Sequence, residues 1–249
     1  MNRVLSSQRL KIPPVIGHRG ACGYAPENTA SAFQAAASLG ISCVEFDVKL
    51  SADGKPVVIH DDTVDRTTSG QGAVGALSLT ELQRLDAGSW FGAEHSGATI
   101  ITFNEAIDLL AKFNMSANVE IKPSPGKEKE TAVAVCDIIK EAWPSQLLNP
   151  LLSSFVDDCM VVAQDIMPEI ERALLIVDLV QDWENRARSY DAGSVHIWHK
   201  NLTREQARSV LDAGYGLRSY TVNDDKTAQR LFGWGLESVF SDFPDHIKV

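Results

Sequence analysis

The feature that most constrains this chain is a rhythm of short apolar segments separated by amphipathic stretches of helical length. Eight such segments are legible: Val15 to Gly17, Val44 to Leu50, Ala117 to Ile121, Leu151 to Ser154, Ala173 to Val177, Ser194 to Trp198, Leu217 to Val222 and Ser238 to Ser241. Apolar runs this short read as buried strands. The intervening stretches carry helix signals. Pro26-Glu27-Asn28-Thr29 opens one that runs to about Leu39, with Phe33, Ala36 and Ala37 on its inner stripe, and further helices fit Glu128 to Glu141 and Thr203 to Ala213. Strands joined by helical crossovers lie parallel, and eight of them close into a barrel. The expected class is therefore α/β, a (β/α)8 TIM barrel. A length of 249 residues matches one such barrel, so residues 1–249 read as one domain.

One segment breaks the rhythm. Thr63 to Ile100 is rich in Gly, Ser and Thr, carries a short helix at Leu79 to Leu85 and ends beyond Trp90-Phe91, so it reads as a small insertion over the barrel mouth. Just before it, Val44 to Asp62 reads as a β-hairpin, with apolar residues alternating with Glu45, Asp47 and Lys49 before Ala52-Asp53-Gly54-Lys55 turns the chain. With Asp53 and Gly54 central in the turn, Asp47 lies across from His60, roughly 5 Å apart at Cβ. Glu45 shares that face. Two acids and a histidine suit a hard metal ion beside a proton-transfer group, although an exposed polar face of an edge hairpin fits the same pattern.

A barrel reading gives these residues a common address, because the active sites of such barrels lie at the C-terminal ends of the strands. His18 and Arg19 end the first strand, Glu45 and Asp47 the second, Glu120 and Lys122 the third, Ser153-Ser154-Phe155 the fourth, Tyr220 to Asn223 the seventh, and Ser241-Asp242 the eighth. Glu45, Asp47 and Glu120 then put three carboxylates in one interior, where they repel unless protons or a cation neutralise them. An all-oxygen set suits Mg²⁺, Ca²⁺ or Mn²⁺ better than zinc. The other polar residues have plainer readings. His95, His196, His199 and His246 fit surface or packing positions, Asp61 and Asp62 turn or supporting groups, and Asn28 a cap of the first helix or a tie for the first loop. Asp242 fits either a partner for a histidine or a strand-end cap, and Phe155, Trp198 and Tyr220 fit core packing as well as substrate contact.

Composition narrows the partners. With 44% hydrophobic and 22% charged residues the chain can bury a full core, and a net charge of −10 argues against nucleic acid or a stable association with anionic membrane. An anionic substrate would then need a local cation. Cys22, Cys43, Cys136 and Cys159 lack metal-type spacing and read as reduced packing residues. The first residues lack the apolar core of a secretory signal, so the cytoplasm is the expected compartment.

His18-Arg19-Gly20, Pro26-Glu27-Asn28-Thr29, Glu45-x-Asp47, Asp53-Gly54, His60-Asp61, Asp65-Arg66-Thr67-Thr68, Leu85 to Phe91, Glu120-x-Lys122, Ser153-Ser154-Phe155 and Thr221-Val222-Asn223 occur in that order. Together they resemble the glycerophosphodiester phosphodiesterase family, from about residue 15 to 243, and its bacterial cytosolic branch in particular. The resemblance implies a distorted barrel of the phosphatidylinositol-phospholipase-C-like type. It implies hydrolysis of glycerophosphodiesters such as glycerophosphocholine and glycerophosphoethanolamine to sn-glycerol 3-phosphate and an alcohol. It also implies one divalent cation, Mg²⁺, Ca²⁺ or Mn²⁺, held by Glu45, Asp47 and Glu120; an acid/base pair of His18 and His60; and substrate contacts from Arg19, Lys122 and Tyr220. Three positions depart from the family pattern: Cys22 where glycine is common, Tyr220 where Trp is frequent, and Ile101 where proline often stands.

The chemistry is consistent with that list. A phosphodiester has one negative charge and a poor alkoxide leaving group, so its hydrolysis needs charge neutralisation on the phosphoryl oxygens and a proton for the leaving oxygen. His18 is the expected acceptor and His60 the expected donor, while water and the glycerol 2-hydroxyl both remain open as nucleophile. Little beyond the phosphate and glycerol is specified, so several small head groups are expected to serve. Two other readings share part of the pattern: another metal-dependent barrel enzyme, such as a sugar isomerase or phospholipase D-like lyase, and a non-catalytic phosphodiester-binding protein. The oligomeric state is open.

Overall fold

In the computed structural model, which describes residues 10–249, the chain alternates strand and helix almost throughout. The reading of residues 1–9 as lacking a leader lies outside the described residues. The elements run β1 (Val15–Gly17), α1 (Ala30–Ser38), β2 (Cys43–Leu50), β3 (Pro56–Val58), α2 (Leu79–Leu82), α3 (Phe103–Phe113), β4 (Ser116–Ile121), α4 (Glu128–Ala142), β5 (Leu151–Ser154), α5 (Asp157–Ile166), β6 (Arg172–Ile176), α6 (Trp183–Ser189), β7 (Ser194–Trp198), α7 (Arg204–Asp212), β8 (Gly216–Tyr220), α8 (Asp225–Phe232) and β9 (Ser238–Ser241). Strand order is β1-β9-β8-β7-β6-β5-β4-β2-β3, and β1 also pairs with β2. That last pairing closes eight parallel strands into a TIM barrel, with β3 outside the ring as the antiparallel arm of a hairpin.

The helices stay on the sheet because their apolar stripes meet the outward side chains of the strands. Phe46 on β2 sits with ring centroids 5.3 Å from Phe33 of α1 and 5.9 Å from Phe103 of α3, all three fully buried. Truncating any of these to alanine would cost about 3–5 kcal/mol. Helix starts are set by side chains: Thr29 caps α1, while Thr102 with Glu105 and Thr203 with Gln206 form reciprocal capping boxes on α3 and α7. The first-helix cap is thus Thr29, and Asn28 takes the other expected part, tying the first loop.

Every residue of β2 is buried, the odd positions Glu45, Asp47 and Lys49 included, since the strand has helices on one side and the barrel interior on the other. Parallel pairing sets Glu45 beside Asn118 and Asp47 beside Glu120 on β4. Period 2 then turns all of them inward.

The hairpin differs from its sequence reading by one residue. Val48 pairs with Val58 and Leu50 with Pro56, so Asp47 stands opposite Ile59, whose N–H donates to the Asp47 carbonyl at 3.0 Å. The cause is a three-residue loop. Ser51 N–H donates to the Lys55 carbonyl at 3.0 Å, and Gly54 takes φ of 72° inside it. His60 falls just past β3, in a bend.

Val57 of β3 and the residues between β3 and α3 build a small core of their own, with Ile59, Val64, Val74, Leu82, Ala87 and Ile100. The helix expected at Leu79 to Leu85 is the single turn of α2, closed by a Ser78–Glu81 capping box. Asp86 pins the far end of the segment, accepting from the N–H groups of Gly88, Ser89 and Gly97 at 2.8, 2.8 and 2.9 Å. Among the described residues no helix is long and apolar enough to cross a membrane.

Candidate active site

The loop after β1 is folded unusually tightly. A Cβ on Gly17 would lie 2.2 Å from the Gly20 carbonyl oxygen, and Gly20 has φ of 90° with its Cα against Ala32. This tightness brings Arg19 (φ 49°) over the end of β2, where its N–H donates to Glu45 Oε2 at 3.0 Å. The next residues of the loop complete the arrangement: Asn28 (φ 59°) donates from Nδ2 to Asp47 Oδ2 at 2.9 Å.

Glu45, Asp47 and Glu120 each offer an oxygen within 4.8 Å of the other two, and all three are buried. Burial first, then Asp47 and Glu120, push the Glu45 carboxyl well above its ordinary range. Glu120 is pushed up to about 7, by burial and then by Asp47. Burial also opposes ionisation of Asp47, but Lys122, Arg19 and His60 outweigh it and hold this carboxyl far below its usual range. Lys122 Nζ stands 3.1 Å from Asp47 and 3.2 Å from Glu120, and Arg19 Nε is 3.6 Å from Asp47. Two cations against three carboxylates leave an excess of negative charge, and Glu120 Oε1 and Arg19 Nε make no hydrogen bond. An oxygen-only set with raised affinity for positive charge fits a hard divalent cation.

The two histidines flank this cluster. His18 Nδ1 lies 2.6 Å from Asp242 Oδ1, and its Nε2 points at Glu45 from 3.9 Å. His60 Nδ1 lies 2.6 Å from Asp61 Oδ1. A carboxylate on Nδ1 fixes that nitrogen as the N–H and leaves Nε2 as the working nitrogen. Burial lowers the pKa of His60, although Asp47 nearby raises it in part. Tyr220 lies farther from the carboxylates, its hydroxyl donating to the Ile176 carbonyl at 2.8 Å and its ring packed edge-on to Phe155. With its hydroxyl so engaged, Tyr220 presents only its ring. That ring and Phe155 wall a cavity that also opens on His18, Glu45 and Glu120, with His196 and Phe240 beneath. A second recess is lined by Glu120, Lys122, Lys49 and Asp62.

All eight residues singled out in the sequence therefore gather around one mouth. The histidines set aside there stay apart from it, except that His196 forms part of the cavity floor. Two residues were not singled out. Arg66, from the insertion, donates to both oxygens of Asp61 at 2.6 and 2.9 Å and to both oxygens of Glu27 at 2.7 and 2.8 Å, and Glu27 in turn accepts from Arg19 at 2.7 Å. The chain His60–Asp61–Arg66–Glu27–Arg19 thus links three loops. Each residue stood in a quoted motif, but only the folded loops bring them together.

The family model for the glycerophosphoryl diester phosphodiesterase family matches residues 18–246. The chain belongs to that family. A glycerophosphodiester phosphodiesterase of Caldanaerobacter subterraneus is 34% identical over 236 residues, covering 93% of this chain and 94% of its own. One from Bacillus altitudinis is 31% identical over 94% of this chain and 97% of its own. Among solved structures, an Oleispira antarctica phosphodiesterase in complex with the product sn-glycerol-3-phosphate superposes with a TM-score of 0.92 at 41% identity, over 95% of each chain. A glycerophosphodiester phosphodiesterase of Agrobacterium tumefaciens gives 0.77 at 27% identity, over 94% of this chain and 98% of that one.

Proposed function

We propose that this protein hydrolyses glycerophosphodiesters to sn-glycerol 3-phosphate and an alcohol. The observation that carries the reading is the meeting, at one barrel mouth, of three under-neutralised carboxylates, two flanking cations and two histidines oriented by carboxylates. Family membership and the product-bound phosphodiesterase support it.

Glu45, Asp47 and Glu120 are the residues that would hold one divalent cation, Mg²⁺ or Ca²⁺ in the first instance, with Mn²⁺ a third candidate. Such an ion supplies charge neutralisation on the phosphoryl oxygens. Arg19 and Lys122 bind the same oxygens, and the ring of Tyr220 walls the substrate cavity. His18 takes the proton of the nucleophile at Nε2. His60 gives a proton to the leaving alkoxide. The barrel acts as one domain, with residues 63–100 covering its mouth and water-soluble head groups as the leaving alcohols. Four free cysteines fit a reducing compartment, for which we propose the cytoplasm.

The test is enzyme-coupled detection of sn-glycerol 3-phosphate released from glycerophosphocholine. Turnover should vanish on chelation with EDTA and return with Mg²⁺ or Ca²⁺. Binding of the diester without any release would point instead to a non-catalytic receptor.

A further inference from the structure

Beside the carboxylate cluster, a second group of donors of different chemistry joins the ends of β1 and β9. His18 Nδ1 lies 2.6 Å from Asp242 Oδ1, Cys22 Sγ lies 2.9 Å from the same oxygen, and Sγ and Nδ1 are 3.8 Å apart. The three atoms therefore form one compact triangle of nitrogen, sulfur and oxygen. His18 and Asp242 are 17% and 27% exposed, so the triangle is reached from solvent.

A borderline-soft dication binds S, N and O ligands tetrahedrally at about 2.0–2.3 Å, which sets its ligands some 3.3–3.8 Å from one another. The Sγ–Nδ1 separation already meets that spacing. Both shorter separations are hydrogen bonds to the single atom Asp242 Oδ1, so withdrawal of that atom by less than about 1 Å opens the triangle to the required size. Asp242 is held from behind through its other oxygen, by Asn223 Nδ2 at 2.7 Å. This set selects differently from Glu45, Asp47 and Glu120, whose oxygens suit a hard ion.

We propose that His18, Cys22 and Asp242 form a second, inhibitory metal site for a borderline-soft dication such as Zn²⁺. The inference rests on the proposed role of His18 as proton acceptor. On binding, the Cys22 S–H bond breaks, its proton goes to solvent, and a metal–sulfur bond forms. The His18 proton moves from Nδ1 to Nε2 as the metal takes Nδ1, and Asp242 supplies the oxygen; no atom changes oxidation state. His18 Nε2 then carries a hydrogen and accepts no proton, so turnover stops while the carboxylate cluster keeps its own cation.

The experiment uses Mg²⁺-loaded enzyme and two readouts. Cd²⁺ titration followed by near-ultraviolet difference absorption should show a thiolate-to-metal charge-transfer band saturating at one ion per chain, absent in Cys22→Ala although three other cysteines remain. Zn²⁺ should inhibit glycerol 3-phosphate release, and Cys22→Ala should raise the inhibition constant at least about tenfold relative to its own uninhibited rate. No band in the wild-type protein overturns the site, whatever the variant does. Equal inhibition of both proteins places the inhibitory ion elsewhere and also overturns it. A saturating, Cys22-dependent band with undiminished turnover overturns inhibition through His18 and with it the proposed role of that residue.

Discussion

Two polar clusters share this barrel interior, and their acids are held by different means. Near the C-terminal ends of the strands, Glu45, Asp47 and Glu120 face the cations Arg19 and Lys122, with His18 and His60 at the flanks, and two of the three carboxyls are pushed up in pKa. Toward the N-terminal ends, the fully buried Arg218 donates to Ser194 Oγ at 2.6 Å and pairs with Glu171 at 3.4 Å and Glu237 at 3.1 Å. Ser194 in turn donates to Glu171 at 2.9 Å, and Leu10 N–H reaches the other Glu171 oxygen at 2.6 Å. In the lower cluster two acids share one buried cation; a serine hydroxyl and a backbone N–H serve Glu171, and Glu237 is partly exposed to solvent. In the upper cluster all three carboxylates are buried against one another. Burial of charge alone therefore does not mark a functional site; a cluster of wholly buried, mutually repelling carboxylates does.

The sharpest way to break the comparison is to change each cluster and ask which property moves. Alanine at His18 or His60 should lower kcat by about 10²–10⁴ through lost proton transfer, with thermal stability nearly unchanged. Variants within a few-fold of wild type in steady-state assays would remove both residues from the chemistry. Replacing Arg218 with Met should do the reverse. It leaves Glu171 buried without its cation and should cost about 3–5 kcal/mol of stability in denaturant titrations, while the folded fraction keeps its kcat. An unchanged unfolding midpoint would show the lower cluster to be dispensable.

A smaller effect sharpens the contrast through pH. A carboxyl with a raised folded-state pKa favours folding while protonated, so the contribution of Glu120 is present below its ordinary value of 4.5 and is lost as pH rises toward about 7. Metal-free protein should therefore melt lower at pH 8 than at pH 5, and Glu120→Gln should flatten that slope. Added Mg²⁺ or Ca²⁺ should raise the wild-type melting temperature more at pH 8, where the carboxylates are ionised, than at pH 5. Calorimetric scans at both pH values decide; a gain that is larger at pH 5 would contradict the electrostatics.

The sequence disclosed more about the upper cluster than the lower. Strand ends were readable because apolar runs stop at His18, Lys122 and Asp242, and each of the eight barrel strands falls within two residues of its expected limits. Glu45, Asp47 and Glu120 followed from period 2 and barrel closure. The hairpin register slipped by one because a two-residue and a three-residue loop share the same Asp-Gly signal, and only the Ser51–Lys55 pairing separates them. The Arg66–Glu27 link was invisible for a different reason: its residues are 39 positions apart and meet only when the insertion folds over the first loop. Likewise Glu171 and Glu237 precede their strands, and nothing local says that both point at Arg218. Of the two expected parts for His196, surface or packing, it takes packing: it is fully buried against Phe240, ring centroids 5.1 Å apart, and lines the cavity.

The most direct test of the central claim is a cation titration of exhaustively chelated protein, with binding measured by calorimetry and glycerol 3-phosphate release measured on the same samples. The account predicts one Mg²⁺ or Ca²⁺ per chain for the active wild type, turnover rising in step with occupancy, and loss of both binding and turnover in Glu45→Gln and Glu120→Gln. Full turnover in demonstrably metal-free protein, or unchanged cation binding in both variants, would contradict it.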